Sequence, residues 1–259
     1  MKKLTALFLI LTLAAALCAC SSTPPPNPEE NILPKADIAA IRESYGKASA
    51  YIEATFKPEG MTVSEQDEDG GVYLYKYWSK ENSENADFTN DIEIDGKTIT
   101  IGKTLVKDLD GLGFEISKGK ETVEPNEVTS VTLTKNNKTC ILSTSDTMSD
   151  KSVPIDDVTV GAVSASFSEY SLPFTYSGLD SKSTPADIID KLGTPNSTIN
   201  LSSDNDGSII ELVYTKTSKE DDVVTDVNLL IDLRYDAEKN DASISNVDIN
   251  TNSYNTKQQ

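Results

Sequence analysis

The 259 residues carry 42 acidic side chains against 23 basic ones and no histidine, a net charge of −19 at neutral pH. An acidic surface of this size repels nucleic acid and anionic lipid headgroups. The lack of histidine removes Ser-His-Asp and Cys-His catalysis, together with the commonest transition-metal ligand.

At the start of the chain, Lys2 and Lys3 precede fourteen uncharged, mostly apolar residues, Leu4 to Leu17. That run is short of the roughly 20 residues a membrane-spanning helix needs, but it suits a secretory leader. It closes on Leu17-Cys18-Ala19-Cys20. The tetrapeptide resembles the lipobox of bacterial lipoproteins, in which cleavage occurs just before a cysteine that carries lipid. The resemblance implies a diacylglyceryl thioether on Cys20, often with an N-acyl (palmitate-type) chain, and two or three acyl chains hold a protein stably. An ordinary leader cut after Ala16 or Ala19 is the competing reading. Cleavage before Cys20 removes Lys2 and Lys3 but no acid, leaving 21 basic and 42 acidic residues and a net charge of −21. Cys140 is then the one cysteine beyond Cys20, so no intramolecular disulfide is expected. The expected location is the outer face of the bacterial cell membrane, or the outer membrane of a Gram-negative source, which Ser21 permits.

Ser21 to Lys35 holds five prolines and reads as an extended stalk of roughly 45 Å at most. Asp37 is placed to cap a helix reaching Phe56, with Ile38, Ile41, Tyr45, Ala48, Ile52 and Phe56 on one stripe. Met61–Gln66 and Gly71–Ser79 then read as a hairpin across the acidic turn Asp67-Glu68-Asp69-Gly70. Strand alternation puts Tyr73, Tyr75 and Tyr77 on one face of its second arm. An aromatic row of this kind is a tentative binding surface for a protein or a glycan. Packing beneath the preceding helix is the competing reading.

Beyond a polar stretch at Glu81–Asn90 the chain repeats itself. Thr104-Leu-Val-Lys-Asp-Leu-Asp-Gly-Leu-Gly113 aligns with Thr184-Pro-Ala-Asp-Ile-Ile-Asp-Lys-Leu-Gly193 at an offset of 80 residues. Each reads as a short helix capped by its Thr and stopped by its Gly. Four strand-like runs follow each, near 114–117, 128–135, 138–144 and 155–168, and near 197–201, 208–216, 223–235 and 242–249. Asn136-Asn137 suits the left-handed backbone of a tight hairpin. Near the end of the last run the apolar phase shifts between Ile244 and Val247.

A short helix ending in Leu192-Gly193-Thr194-Pro195, followed by an antiparallel meander, resembles the repeat of β-lactamase-inhibitor-protein-like domains. It is similar also to small SmpA/OmlA-type lipoproteins and to Firmicute surface lipoproteins with tandem repeats. The resemblance covers residues 90 to 250, and the first copy departs from it with Phe114-Glu115 after Gly113. It implies a helix-backed curved sheet whose open face, in some relatives, binds another protein. The expected class is therefore α+β: an N-terminal helix plus hairpin, then two helix–four-strand antiparallel repeats forming that sheet. The expected divisions are a leader (1–19), lipidated Cys20 and stalk (20–35), a helix-hairpin segment (36–89), repeats at 90–170 and 171–250, and a polar tail (251–259).

No metal, cofactor or catalytic residue is assigned. Ser202 to Ile209 is similar to part of a calcium loop, but the bidentate twelfth position is Val213 where a Glu belongs. Asp67–Gly70 and Glu220–Asp222 read as solvated turns. Cys140, in Thr139-Cys-Ile-Leu142, reads as a small packed hydrophobe. The expectation is a non-enzymatic lipoprotein, membrane-bound through Cys20, that binds an envelope or extracellular protein and no nucleic acid. The alternatives are a small-ligand or glycan-binding lipoprotein and an envelope-assembly or structural one.

Overall fold

The computed structural model describes residues 35–56, 62–68, 72–78, 87–145, 149–204, 207–220 and 222–255, without the side chains of 35–45, 62–78, 203–207 and 254–255. The leader, Cys20, the stalk as far as Pro34, the turn residues Asp69 and Gly70 and the last four residues lie outside them, while Lys35, expected to end the stalk, and Asp37, expected to cap the first helix, both lie within that helix. Helix α1 (Lys35–Phe56) leads into a hairpin of β1 (Thr62–Glu68) and β2 (Val72–Trp78). A second hairpin follows, β3 (Asp91–Ile94) and β4 (Lys97–Thr100), then a 3-10 helix at Val106–Leu112 and the short strands β5 (Glu115–Lys118) and β6 (Thr122–Val123). Next come β7 (Ser130–Lys135), β8 (Lys138–Thr144), β9 (Val153–Pro154), β10 (Val160–Ser166) and β11 (Phe174–Thr175). Helix α2 (Pro185–Leu192) precedes the seven-residue β12 (Thr198–Asp204) and three long strands, β13 (Gly207–Glu220), β14 (Val223–Asp236) and β15 (Asp241–Asn255).

Ten of these strands make one antiparallel sheet, ordered β1-β2-β12-β13-β14-β15-β10-β8-β7-β5. Alternation sorts its two faces. Ile210, Leu212, Leu229, Ile231, Leu233 and Ile249 are all buried on one of them. Over that face lie the small sheet β11-β3-β4, the 3-10 helix and both α-helices, whose Ile92, Ile99, Leu109, Ile188 and Ile52 join the same core. Tyr51 of α1 meets Tyr235 of β14 with ring centroids 5.2 Å apart. On the opposite face the side chains are partly or wholly exposed.

Two bulges shape the sheet. Leu233 pairs with Ile244 and Asp232 with Asn246, so Ser245 is the extra residue. A bulge resets the alternation, which is why Ile244 and Val247 are both buried and why the apolar phase shifts there. The second bulge lies between Val160↔Thr144 and Ala162↔Ser143, with Gly161 as the extra residue.

The expected α+β pair of helix–four-strand repeats is corrected. Among the described residues strand far outweighs helix, and ten of the strands form one large antiparallel sheet. The aligned segments themselves diverge. Thr184 caps α2 through a box with Asp187, three residues on. In the first segment the matching acid, Asp108, lies four residues beyond Thr104, so its carboxylate accepts from the Leu105 N–H and Leu105 becomes the cap. The cap slides by one residue, a 3-10 segment forms instead of an α-helix, and it buries Leu109, the counterpart of Ile189, where α2 buries Ile188. The run expected at 155–168 is also broken, by a 3-10 turn at Ile155–Asp157. β13, β14 and β15 reach 14 or 15 residues where β5 to β10 reach at most seven. β15 continues through Thr251–Asn255, because β14 beside it is equally long and offers pairing as far as Val223↔Asn255. The 171–180 stretch turns back on the earlier half, where Phe174 pairs with Ile94.

The Leu-Gly-Thr-Pro-Asn stretch after α2 has a clear role. The Tyr214 hydroxyl donates to the Gly193 carbonyl (3.0 Å), and the Asn196 side chain bonds both the N–H and the carbonyl of Thr215 (2.9 and 2.7 Å). Together these bonds fix the helix end to β13.

Candidate functional site

The exposed face of the ten-stranded sheet carries the polar chemistry of the molecule. Pairing across β12, β13, β14 and β15 aligns Asn200, Glu211, Asp232 and Asn246 in one row. Lys76 of β2 holds the register position opposite Asn200. Asp248 lies two residues beyond Asn246 on the same strand, at the register position opposite Ser164 of β10. The Asn200 amide donates to Glu211 Oε1 (2.5 Å), and the Asn246 amide donates to Asp248. The Ser164 hydroxyl also bonds Asp248.

Three carboxylates from three strands thus share one patch, and among the described residues none of them is in a salt bridge. Burial, and then the charges of Glu211 and Asp248, push the Asp232 carboxyl up to about 6. Burial raises Asp248 as well, with Glu211 adding to it against the bonds from Ser164 and Asn246. These are costs of desolvation and like charge that the fold tolerates.

Beside the patch, β8 and β10 part after Ile141↔Ser164. The chain following β10 folds into the gap, with the Thr139 N–H donating to the Tyr170 carbonyl and the Leu172 N–H to the Thr139 carbonyl (both 2.9 Å). The result is a cleft of about 370 Å³. Its rim is hydroxyl-lined, by Thr139, Ser164, Ser166, Ser168 and Ser171, and Cys140, Ala165 and Leu172 form its floor. The Ser171 hydroxyl is shared with Ser166 (2.8 Å) and Ser168 (2.7 Å). Tyr170, 71% exposed, and Ile141, 54% exposed, flank the opening. A second, wider depression of about 700 Å³ lies between β4 and the far ends of β13 to β15. Of the two lysines lining it, Lys103 and Lys216, the latter is already engaged, donating to the Phe88 carbonyl and lying 4.4 Å from the centre of the Phe88 ring.

Cys140 is buried, its Sγ 3.9 Å from the Ser164 carbonyl, and burial pushes its thiol up to about 12. It is protonated at neutral pH and is no nucleophile in this environment. Among the described residues no three His, Cys, Asp or Glu side chains are grouped to hold a metal ion. The calcium-like stretch forms the ends of β12 and β13, with Ser202 opposite Ile209.

Of the residues singled out from sequence, Cys20 lies outside the described residues. For Tyr73, Tyr75 and Tyr77 the backbone is described but the side chains are not. Their strand is internal to the sheet, with Tyr77 at the register position opposite Ile199 and Tyr75 opposite Leu201, both buried residues. Glu211, Asp232, Asp248 and Tyr170 were not singled out. The three acids are far apart in sequence, and only strand pairing collects them. The hydroxyl-rich run Ser164-Ala-Ser-Phe-Ser-Glu-Tyr-Ser171 was the local sign of the cleft. Compared with known proteins, the chain matches no family model, no curated protein and no solved structure.

Proposed function

We propose that this chain is a membrane-anchored extracytoplasmic lipoprotein, held through lipid on Cys20, whose folded part is a non-catalytic binding module. The exposed face of the ten-stranded sheet docks an envelope or extracellular protein that presents a basic surface. The observation that carries this reading is the patch of Glu211, Asp232 and Asp248, in which burial first, and then neighbouring negative charge, holds Asp232 and Asp248 above the usual carboxylate range at a cost to the fold. Threonine or serine would serve a solvated strand equally well, so three mutually repelling acids are accounted for by a cationic partner that relieves them. The acidic chain disfavours nucleic acid on the same grounds. The lipobox supplies the anchor, and no helix among the described residues is long and apolar enough to cross a membrane.

Each half of the proposal has its own test. Cys20→Ser is expected to abolish incorporation of labelled lipid and to move the protein from the membrane fraction to the soluble one. Labelling that persists in the variant contradicts the anchor. For docking, a partner retained by the immobilised chain is expected to dissociate with rising salt. Retention should fall about tenfold or more in Glu211→Gln/Asp232→Asn/Asp248→Asn. Retention that is indifferent to both changes contradicts the acidic face as the interface.

A further inference from the structure

The cleft beside Tyr170 is chemically distinct from the acidic patch it adjoins. Every polar side chain at its rim is a hydroxyl. A hydroxyl both donates and accepts, so the rim complements a ligand that offers donors and acceptors at many positions. No lysine or arginine is among the residues lining the cleft, and Ser164 already donates to Asp248, so the site offers a phosphate or a carboxylate no charge to pair with. Ser166, Ser168 and Ser171 bond one another, but each hydroxyl keeps further hydrogen-bonding capacity, and a wholly apolar ligand would take that capacity out of water unused, which costs binding energy. The opening nevertheless carries a tyrosine ring 71% exposed, the most exposed large apolar side chain among the described residues, with Ile141 beside it.

The rim is also fixed in place. Hydrogen bonds from Thr139 and to Thr139 clamp the Tyr170–Leu172 backbone onto β8, and Ser171 bridges Ser166 and Ser168. Side chains held in this way lose little freedom when a ligand arrives. The volume, about 370 Å³, is at the small end of the range for ligand pockets and suits about one or two sugar rings.

We propose that this cleft is a saccharide-binding subsite, with a sugar ring stacked on Tyr170 and its hydroxyls bonded to the serine rim. It uses none of the three acids of the docking patch and does not rest on the protein-docking reading.

Cellobiose and N,N′-diacetylchitobiose are suitable probes, titrated into the detergent-solubilised full chain and followed by saturation-transfer NMR and calorimetry. The expected result is saturable binding of at least one probe with Kd on the order of 1 mM. Tyr170→Ala is expected to weaken it about tenfold or more, Ser166→Ala/Ser171→Ala about fivefold, and Tyr170→Phe little, all with unchanged melting temperature. Glu211→Gln leaves the affinity unchanged, so loss of protein docking and loss of sugar binding are read separately. No saturable binding of either probe up to about 10 mM overturns the proposal, and so does binding that Tyr170→Ala leaves intact.

Discussion

Gly161→Val is expected to yield little folded protein, and Gly161→Ala to lower the melting temperature by about 10 °C, corresponding to a loss of roughly 3 kcal/mol or more. A Cβ at this position would lie 2.4 Å from Ser145 Cα and 2.5 Å from Ser145 N. Both are backbone atoms and cannot rotate away. The backbone there is pinned from several sides. The Ser145 N–H donates to the Thr159 carbonyl (2.8 Å), and the Thr251 hydroxyl donates to the Gly161 carbonyl (3.0 Å). The bulge at Gly161 sits on β10, the strand that joins β8 to β15 and so couples the two parts of the large sheet. Relief of the clash therefore means breaking that junction. Gly111→Ala is the matched control: nothing lies within 4 Å of the added methyl, and a shift of no more than about 2 °C is expected. Equal melting temperatures for the Gly161 and Gly111 alanine variants would contradict the bulge geometry.

Asp232→Asn has the opposite sign: it makes the protein more stable at pH 7, by about 1–2 kcal/mol once solvent screening is allowed for. Its carboxyl titrates at about 6 in the folded chain and near the usual value of about 4 when unfolded. Between those values the folded state holds more protons than the unfolded one, so stability falls as pH rises from about 4 through about 6. Burial raises Asp248, which adds to the trend in the same direction. Asp187 and Asp236 are held below the usual range by bonds from Thr184 and Lys239. They act in the opposite sense, and only as pH falls below the usual carboxylate range. Denaturant titrations at pH 5 and pH 7 measure the effect. The wild-type midpoint is expected to be lower at pH 7, and Asp232→Asn is expected to narrow the gap. A wild-type midpoint that rises from pH 5 to pH 7, with no effect of the substitution, contradicts the strained patch.

The same patch shows which parts of the molecule are legible from one sequence. Local chemistry is read well. Asn136 and Asn137 both take positive φ, at 52° and 61°, as their tight hairpin requires. Thr184 caps α2 with its hydroxyl accepting from the Asp187 N–H. The phase shift between Ile244 and Val247 is a true mark of the Ser245 bulge. Features set by distant partners are read poorly. Offset alignment treats Thr104 and Thr184 as equivalent, but one residue of slippage in the acid that completes the capping box turns an α-helix into a 3-10 turn. Nothing local to β10 or β15 announces that they pair with each other, which is the junction between the earlier and later strands of the large sheet. Glu211, Asp232 and Asp248 become one site for the same reason, since β13, β14 and β15 bring them together.

Docking through the exposed sheet face is the centre of the account, and photo-crosslinking on intact cells tests it most directly. One crosslinking residue replaces Ser243, which is exposed and pairs with Arg234 two residues from Asp232. A second replaces Asp110, exposed on the 3-10 helix that covers the other face. The account predicts a discrete protein adduct from position 243, lost at high salt and in Glu211→Gln/Asp232→Asn, and none from position 110. Equal adducts from both positions, or only glycan and lipid adducts from position 243, would contradict it.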